Sequence, residues 1–289
     1  IDTALKYQNT ALISESIQVE GFKYNQNDYS YNPRASYPKV FHSLGPDLRT
    51  QIGGPDGFFF GDLKLTLTSQ LLIQNNFSIN SIITQGLYDN MGELKLASDS
   101  ILPHVRTDIV KYLKQSRGFS IRRLQANYFG QLTPSIFYKL SGGIFESMFG
   151  GLGGEILYRP YNKNFGIGLE AWGVKQREYN QLLRFRDYST VTGHTTFYYH
   201  EPRTHLLLKI HGGRYLAKDS GFTLDISRRF KSGLQLGGFF SLTDISDEEF
   251  GEGSFDKGFY FHLPIEIFSP QYNKRNFGWG LRPLTRDGA

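Results

Sequence analysis

The sequence predicts an all-β fold, specifically a closed antiparallel transmembrane β-barrel of about twelve strands with one short helical insertion. Apolar residues alternate with polar ones along most of the 289-residue chain, the period of strands with one apolar face. Aromatic residues make up 15% of the chain, with 24 Phe and 18 Tyr on a polar background. Such a composition suits β structure that faces an interface.

Composition excludes several classes of protein. Mean hydropathy is −0.38, and no apolar run approaches the roughly 18 to 20 residues that a membrane helix needs. The strands of a barrel alternate between two environments, so their average hydropathy is low. Cysteine is absent, which excludes disulfides, thiolate metal sites and thiol catalysis. The net charge of +5 is spread along the chain and indicates no nucleic-acid partner.

The amino-terminal part of the sequence gives the weakest signal. Residues 1–25 contain one expected strand, with apolar residues at Ile13, Ile17 and Val19. Residues 25–60 are rich in Tyr, Asn and Pro and predict a long loop. The chain opens without the apolar core of a signal peptide and closes without an aromatic-ended strand. We therefore expect residues 1–289 to be a single outer-membrane barrel that is a fragment of a longer chain.

The clearest alternation lies in two runs separated by Gln74, Asn75 and Asn76. If this triplet is a turn, the apolar residues of the two runs coincide on one face. The predicted cross-strand pairs are Ile73 with Phe77, Leu71 with Ile79, and Leu67 with Ile83.

Residues 100–117 break the β pattern. Apolar residues from Pro103 to Leu113 recur near a helical period, and Asp99 or Ser100 could cap the first turn. One short amphipathic helix is predicted here.

Strands are predicted again from residue 119 onward. With Pro202 and Arg203 as a turn, Tyr199 would lie opposite Leu206 and Phe197 opposite Leu208. The other face of this hairpin would be mostly polar. Breaks near residues 75, 132, 163, 203 and 232 are short, whereas most of the intervening breaks are longer, an asymmetry that is typical of outer-membrane barrels.

The stretch from 141 to 160, SGGIFESMFGGLGGEILYRP, has glycine at a density that indicates bends or close approach of another segment. Gly143 and Gly153 are the positions where we expect added bulk to be excluded. No Lys-Ser or Lys-Thr follows the glycines, so a phosphate loop is not predicted. The acidic run from Asp244 to Glu252 fits no calcium loop and is interpreted as a solvated loop.

Three strings resemble a known family: IFESMFGGLGGEILYRP within residues 144–160, FGEGSFDKGFY at 250–260 and LRPLTRDG at 281–288. They are similar to the YjbH/GfcD family of bacterial outer-membrane proteins tied to exopolysaccharide or capsule biosynthesis. The resemblance implies a polysaccharide partner, contact with outer-membrane lipid, and other exopolysaccharide-secretion proteins as partners. It also implies a location in the bacterial outer membrane. Together with the barrel fold, a polar face that bears aromatic residues and the absence of a catalytic constellation, the resemblance predicts a non-enzymatic role in export or surface anchoring of the polymer.

A polar face with aromatic residues is where such a polymer would lie. The candidate lumen or polysaccharide-contact residues are Lys139, Glu155, Arg159, Trp172, His194, Tyr198, His200, His205, Lys209 and His211. The predicted hairpin pairs His200 with His205 and His194 with His211. A closed zinc site needs four ligands, and no further strong ligand is predicted beside either pair, so neither a metal nor another cofactor is expected.

A second class of function stays open at this point. A soluble periplasmic carbohydrate-active enzyme, or a polysaccharide-binding β-sandwich, could use Glu146, Glu155 and Glu170. No Gly-x-Ser-x-Gly elbow is present, so nucleophilic serine chemistry is not predicted.

Overall fold

The computed structural model describes residues 37–52, 57–94, 108–115, 117–250, 256–264 and 276–281, and these form one antiparallel sheet of thirteen strands. Each strand pairs with the next one in the chain, so the sheet is an uninterrupted meander. The strands are β1 (Lys39–Ile52), β2 (Phe59–Leu72), β3 (Phe77–Asp89), β4 (Phe119–Thr133), β5 (Ile136–Ile144), β6 (Phe149–Tyr158), β7 (Phe165–Arg177), β8 (Phe185–Glu201), β9 (Leu206–Arg214), β10 (Ser220–Arg229), β11 (Gln235–Thr243), β12 (Lys257–Pro264) and β13 (Asn276–Leu281).

This arrangement confirms the all-β, antiparallel part of the predicted fold. Among the described residues, β1 and β13 are the two ends of the sheet order. Closure of the sheet into a barrel stays a prediction. No helix in the described ranges is both long enough and apolar enough to span a membrane.

The first predicted hairpin is confirmed in its register. Leu71 lies opposite Ile79 and Leu67 opposite Ile83. The turn falls on the predicted triplet, where the amide of Ile73 donates to the carbonyl of Phe77 at 3.0 Å. Two apolar runs that coincide on one face were enough to define both the turn and the pairing.

The hairpin of β8 and β9 has the predicted faces but a different register. Tyr199 lies opposite Leu208, and Phe197 lies opposite Ile210, two residues further along than predicted. The turn takes in residues 202–205, and His205 adopts a positive φ of 56°. A shift of two residues leaves every side chain on its predicted face, because the side-chain period of a strand is two.

The long loop predicted for residues 25–60 is wrong over Lys39–Ile52, which forms β1. Gly45 and Pro46 favoured a loop in the sequence. Proline has no backbone N–H to donate to a neighbouring strand. It is therefore tolerated in a strand at the end of a sheet, at a position that faces away from the neighbouring strand. The strand expected in residues 1–25 lies outside the described residues, and β13 was not predicted.

The predicted helical insertion is confirmed in part. Helix α1 spans Ile109–Leu113 between β3 and β4, and a short 3₁₀ helix spans Met91–Glu93. Asp108 occupies the N-cap position, whereas the predicted caps at Asp99 and Ser100 lie outside the described residues. A further single helical turn, α2 (Asp247–Phe250), lies between β11 and β12.

The glycine-rich strands β5 and β6 show the predicted close approach. Gly143 has a φ of 126°, and a Cβ there would collide with the carbonyl oxygen of Leu124 on β4. A Cβ on Gly153 would collide with the indole ring of Trp172 and the carbonyl oxygen of Ala171 on β7. Neighbouring strands therefore occupy the space that these glycines leave.

Candidate functional site

The sheet has two chemically different faces. One, which we call the apolar face, exposes large aliphatic and aromatic side chains on successive strands. Its exposed residues include Leu44, Leu65, Leu140, Leu152, Ile156, Leu169, Val191, Phe197, Ile210, Phe222, Ile226, Leu236 and Phe259. Monomeric soluble proteins rarely expose a continuous apolar surface of this extent, so this face is built to be covered.

The opposite face, called the polar face below, carries the residues that alternate with these. Thr190, Thr192 and Thr196 of β8 are buried there, as are Ser227 and Ser241 on the following strands. Two cavities open on this face, of about 580 and 400 Å³.

A row of charged and titratable side chains crosses four consecutive strands on the polar face. Lys139 of β5 lies opposite Glu155 of β6, which lies opposite Glu170 of β7, which in turn lies opposite His194 of β8. The Nζ of Lys139 lies 2.6 Å from Oε1 of Glu155. The Nδ1 of His194 lies 3.0 Å from Oε1 of Glu170. Each carboxylate therefore has its own partner.

Trp172 lies beside this row and contacts both halves of it. Its indole Nε1 donates to Oε2 of Glu170 at 3.3 Å. The ammonium of Lys139 lies 5.4 Å from the centroid of the Trp172 ring, within the range of a cation–π contact.

His211 of β9 completes a cluster around His194. The two imidazole rings are stacked, with centroids 4.1 Å apart. The Nδ1 of His211 is hydrogen-bonded to Oγ1 of Thr196 at 2.8 Å, and its Nε2 lies 3.9 Å from Oε1 of Glu170. The side chain of His194 is only 9% exposed, and its Nε2 has no hydrogen-bond partner among the described residues.

The larger of the two cavities has an amphipathic lining. Arg159, Tyr198, His200 and Lys209 line it together with Glu155 and Glu170. Lys209 also lines the neighbouring cavity, which His211 borders. The hydroxyl of Tyr260 donates to Oδ1 of Asp225 at 2.9 Å between the two cavities. Aromatic rings beside charged hydrogen-bonding groups can hold a ligand with both polar and flat apolar surfaces.

Helix α1 packs against the polar face at one end of the strands. Tyr112 forms a buried cluster with Met148, Phe149 and Val174. Its hydroxyl donates to the carbonyl oxygen of Arg177, and its own carbonyl accepts from Nε2 of Gln181 at 3.0 Å. The β3–β4, β5–β6 and β7–β8 connections thus meet at this end, around a third cavity of about 670 Å³.

Asp108 fixes the start of this helix. The carboxylate accepts hydrogen bonds from Lys111 at 2.7 Å, Gln176 at 3.0 Å and Tyr179 at 3.2 Å. Burial raises the pKa of Asp108, but these hydrogen bonds and the charge of Lys111 outweigh it, so the pKa lies below its ordinary value. The carboxylate is the form that holds α1 in place.

Arg177, at the end of β7, is fully buried and joins two connections. Its Nη1 donates to the carbonyl oxygens of Glu146 and Ser147, at 2.6 and 3.2 Å. Its Nη2 donates to the carbonyl oxygens of Gln181 and Leu182. The side chain thereby links the β5–β6 connection to the β7–β8 connection.

The structure brings most of the predicted contact residues together on the polar face. The imidazoles of His200 and His205 are stacked with centroids 6.2 Å apart, so both predicted histidine pairs are neighbours. His205 lies in the exposed β8–β9 turn rather than on a strand. Whether these residues touch a polysaccharide stays a prediction.

Sequence reasoning missed three features of the site. Glu170 was considered only as a possible catalytic carboxylate, yet it lies against His194 and His211, where no further ligand had been expected. Asp225 and Tyr260 were not identified as candidates, although each occupies a polar-face position of its strand. The alternation of polar and apolar residues that identified Lys209 also marks these two positions.

The fold and the site together define an all-β protein with one exposed apolar face and one polar face that bears cavities. The family model described as exopolysaccharide biosynthesis protein YbjH matches residues 4–289. The chain belongs to this YjbH family, as the three sequence strings predicted.

A curated relative gives the same assignment. The chain is 38% identical over 258 residues to the uncharacterized lipoprotein YjbH of Escherichia coli (strain K12). The match covers 86% of this chain and 36% of the relative, so the chain spans about a third of that protein's length. Neither description names a catalytic activity.

Proposed function

We propose that this chain forms a non-enzymatic outer-membrane β-barrel that helps to export or anchor an exopolysaccharide. The single observation that best supports the proposal is the contrast between the two faces of the sheet. The exposed apolar residues, such as Leu152, Leu169 and Val191, fit contact with lipid. The polar face then lines the interior, where the sheet closes on itself.

The polar face suits a polysaccharide better than a small apolar ligand. Tyr198 and Trp172 offer rings for stacking on sugars, and Lys209 and Arg159 offer cations for an anionic polymer. Two of the three carboxylates that an enzyme could use are occupied: Glu155 is paired with Lys139, and Glu170 is hydrogen-bonded to His194. Because both groups already have a side-chain partner, binding is favoured over acid–base catalysis.

Helix α1 gives the interior a narrowed end. The cluster of Tyr112, Met148 and Val174 occupies the polar face where the β3–β4, β5–β6 and β7–β8 connections meet. A polymer would enter the two cavities away from α1, the larger of which is lined by Glu155 and Glu170 of the charged row.

Binding of the isolated polymer by purified protein in detergent tests the proposal. Tyr198 and Phe197 are a matched pair, since they are adjacent aromatic residues, similarly exposed at 42% and 38%, and on opposite faces, and Phe197 lies outside the lining of both cavities. Tyr198→Ala should weaken binding several-fold, whereas Phe197→Ala should leave it unchanged. Lys209→Glu should weaken binding of an anionic polymer more than Lys209→Arg does. Equal effects of the two aromatic changes would contradict the assignment of the polar face.

Two further measurements separate the proposal from its alternatives. In cells, loss of the protein should reduce surface polysaccharide without altering the sugar linkages of the remainder. Chain length of the polymer should not change on incubation with the protein. Cleavage that disappears in Glu155→Gln or Glu170→Gln would support a carbohydrate-active enzyme, because removing one catalytic group lowers the rate by orders of magnitude. Recovery of the protein in the detergent-free soluble fraction would exclude the barrel.

A further inference from the structure

We propose that Glu170, His194 and His211 form a binding site for a first-row divalent transition-metal ion, for which Zn²⁺ is the probe. The three residues come from the adjacent strands β7, β8 and β9. One carboxylate oxygen and one ring nitrogen from each histidine lie within 4.8 Å of one another. The proposal goes beyond polysaccharide export and does not depend on it.

The distances fit a small metal ion. Ligand atoms about 2.0 to 2.1 Å from a tetrahedral zinc lie about 3.3 Å from each other. The two separations from Oε1 of Glu170 bracket this value, at 3.0 Å to Nδ1 of His194 and 3.9 Å to Nε2 of His211. An ion between these atoms replaces the hydrogen bond of Glu170 to His194. The imidazoles must rotate out of their stacked arrangement, because the lone pair of each ring nitrogen lies in the plane of its ring.

The surroundings orient two of the three ligands. Thr196 is bonded to Nδ1 of His211, which leaves Nε2 to face the carboxylate. Trp172 donates to the second oxygen of Glu170, which leaves Oε1 as the ligand atom. Partners of this kind hold metal ligands in position in known sites.

The donor set selects the class of ion. Two imidazoles and one carboxylate suit Zn²⁺ and other first-row ions, whereas Ca²⁺ and Mg²⁺ prefer oxygen ligands alone. Three protein ligands leave a fourth position, and Glu170 and His211 each line a cavity on the polar face. The nearby ammonium of Lys209 opposes a cation, but Asp225 lies directly opposite Lys209 and offsets its charge.

The second histidine pair is a built-in control. His200 and His205 are also stacked, but their ring centroids are 6.2 Å apart, and they do not belong to a three-ligand cluster in the described residues. A site that depends on the carboxylate should therefore bind at the first pair alone.

Titration of the purified protein, without an affinity tag, with Zn²⁺ in detergent tests the site. Wild type should bind one equivalent, and Co²⁺ should show the visible absorption of a tetrahedral ion. Glu170→Gln and His211→Ala should abolish the stoichiometric binding, while Thr196→Val should weaken it about tenfold. His200→Ala should bind as wild type does.

Cu²⁺ electron paramagnetic resonance on wild type needs no variant and should show coupling to two nitrogens. The proposal is overturned if wild type binds no stoichiometric Zn²⁺, if Glu170→Gln binds as tightly as wild type, or if only His200→Ala loses binding. Unchanged circular dichroism of each variant establishes that lost affinity is not lost folding.

Discussion

Glu155 and Glu170 lie directly opposite each other on β6 and β7, and each carboxylate is paired with a different cationic or hydrogen-bonding side chain. Like charges at directly opposed positions of an antiparallel pair repel each other. Lys139 on one side and His194 on the other make the arrangement tolerable. The row across the polar face is therefore two pairs, Lys139 with Glu155 and Glu170 with His194, that lie side by side and depend on each other.

Removing the ammonium from this row should destabilise the fold modestly. Lys139→Met leaves the carboxylate of Glu155 opposite Glu170 without its ammonium partner. The free energy of unfolding should fall by about 1 kcal/mol, a small amount because the groups are partly exposed. The measurement is the free energy of unfolding in urea. Lys139→Met combined with Glu155→Gln should recover most of the loss, and simple additivity of the two changes would show that the ion pair is not coupled.

Charge on the apolar face should be costly if that face meets lipid. Leu208→Arg should destabilise the folded protein by about 2 to 4 kcal/mol near the bilayer midplane. The test is folding into lipid vesicles, followed by heat-modifiable migration on a gel. Lys209→Arg, one residue away on the polar face, should fold as wild type does. If Leu208 were exposed to water, Leu208→Arg would instead change the free energy of unfolding by no more than about 0.5 kcal/mol.

Bulk at the closely approached glycines should prevent normal folding. Gly143→Ala and Gly153→Val place atoms against Leu124 and Trp172, so the yield of folded protein should fall. Gly45→Ala is the matched control, since a Cβ at Gly45 meets nothing within 4 Å. Normal folding of both Gly143→Ala and Gly153→Val would mean that the strands are not packed as closely as described.

The attachment of α1 should depend on pH through Asp108. Because the folded-state pKa of Asp108 is lowered, its stabilisation is present above the unfolded pKa and is lost as the pH falls through the folded pKa. Asp108→Asn should cost about 1.5 to 3 kcal/mol at pH 7, the range for hydrogen bonds to a charged group.

The difference between Asp108→Asn and wild type should shrink in acid, below the folded pKa. Urea midpoints of both proteins at neutral and acid pH provide the measurement. A difference that stays constant over this range would assign the effect to packing rather than to the carboxylate.

The extent to which the fold could be predicted varied with the local signal. The β2–β3 pairing followed from the sequence, because Leu67, Leu71 and Ile79 alternate without interruption around a short turn. β1 did not follow, since glycine and proline are uncommon inside strands and Gly45 and Pro46 both lie within it. The β8–β9 turn extends to His205, which has a positive φ. A positive φ at a residue other than glycine is not evident from the sequence.

The sequence predicted on which face of the sheet the site residues lie, but it did not predict which of them are in contact. Alternation alone placed Lys139, His194 and Lys209 on the polar face. The approach of Glu170 to His194 depends on the register of β7 with β8, which shifts between Lys175 and Arg177. No turn signal specifies that shift, so the third member of the cluster could be identified only from the structure.

The buried guanidinium of Arg177 ties the β5–β6 and β7–β8 connections into one cooperative unit. Neither connection can open without breaking hydrogen bonds from a side chain that is 0% exposed. Segments that open together share one opening free energy, so their amides should exchange with deuterium at matched protection. Lysine cannot take over this role, because a single ammonium does not offer the planar fork that reaches four carbonyl oxygens.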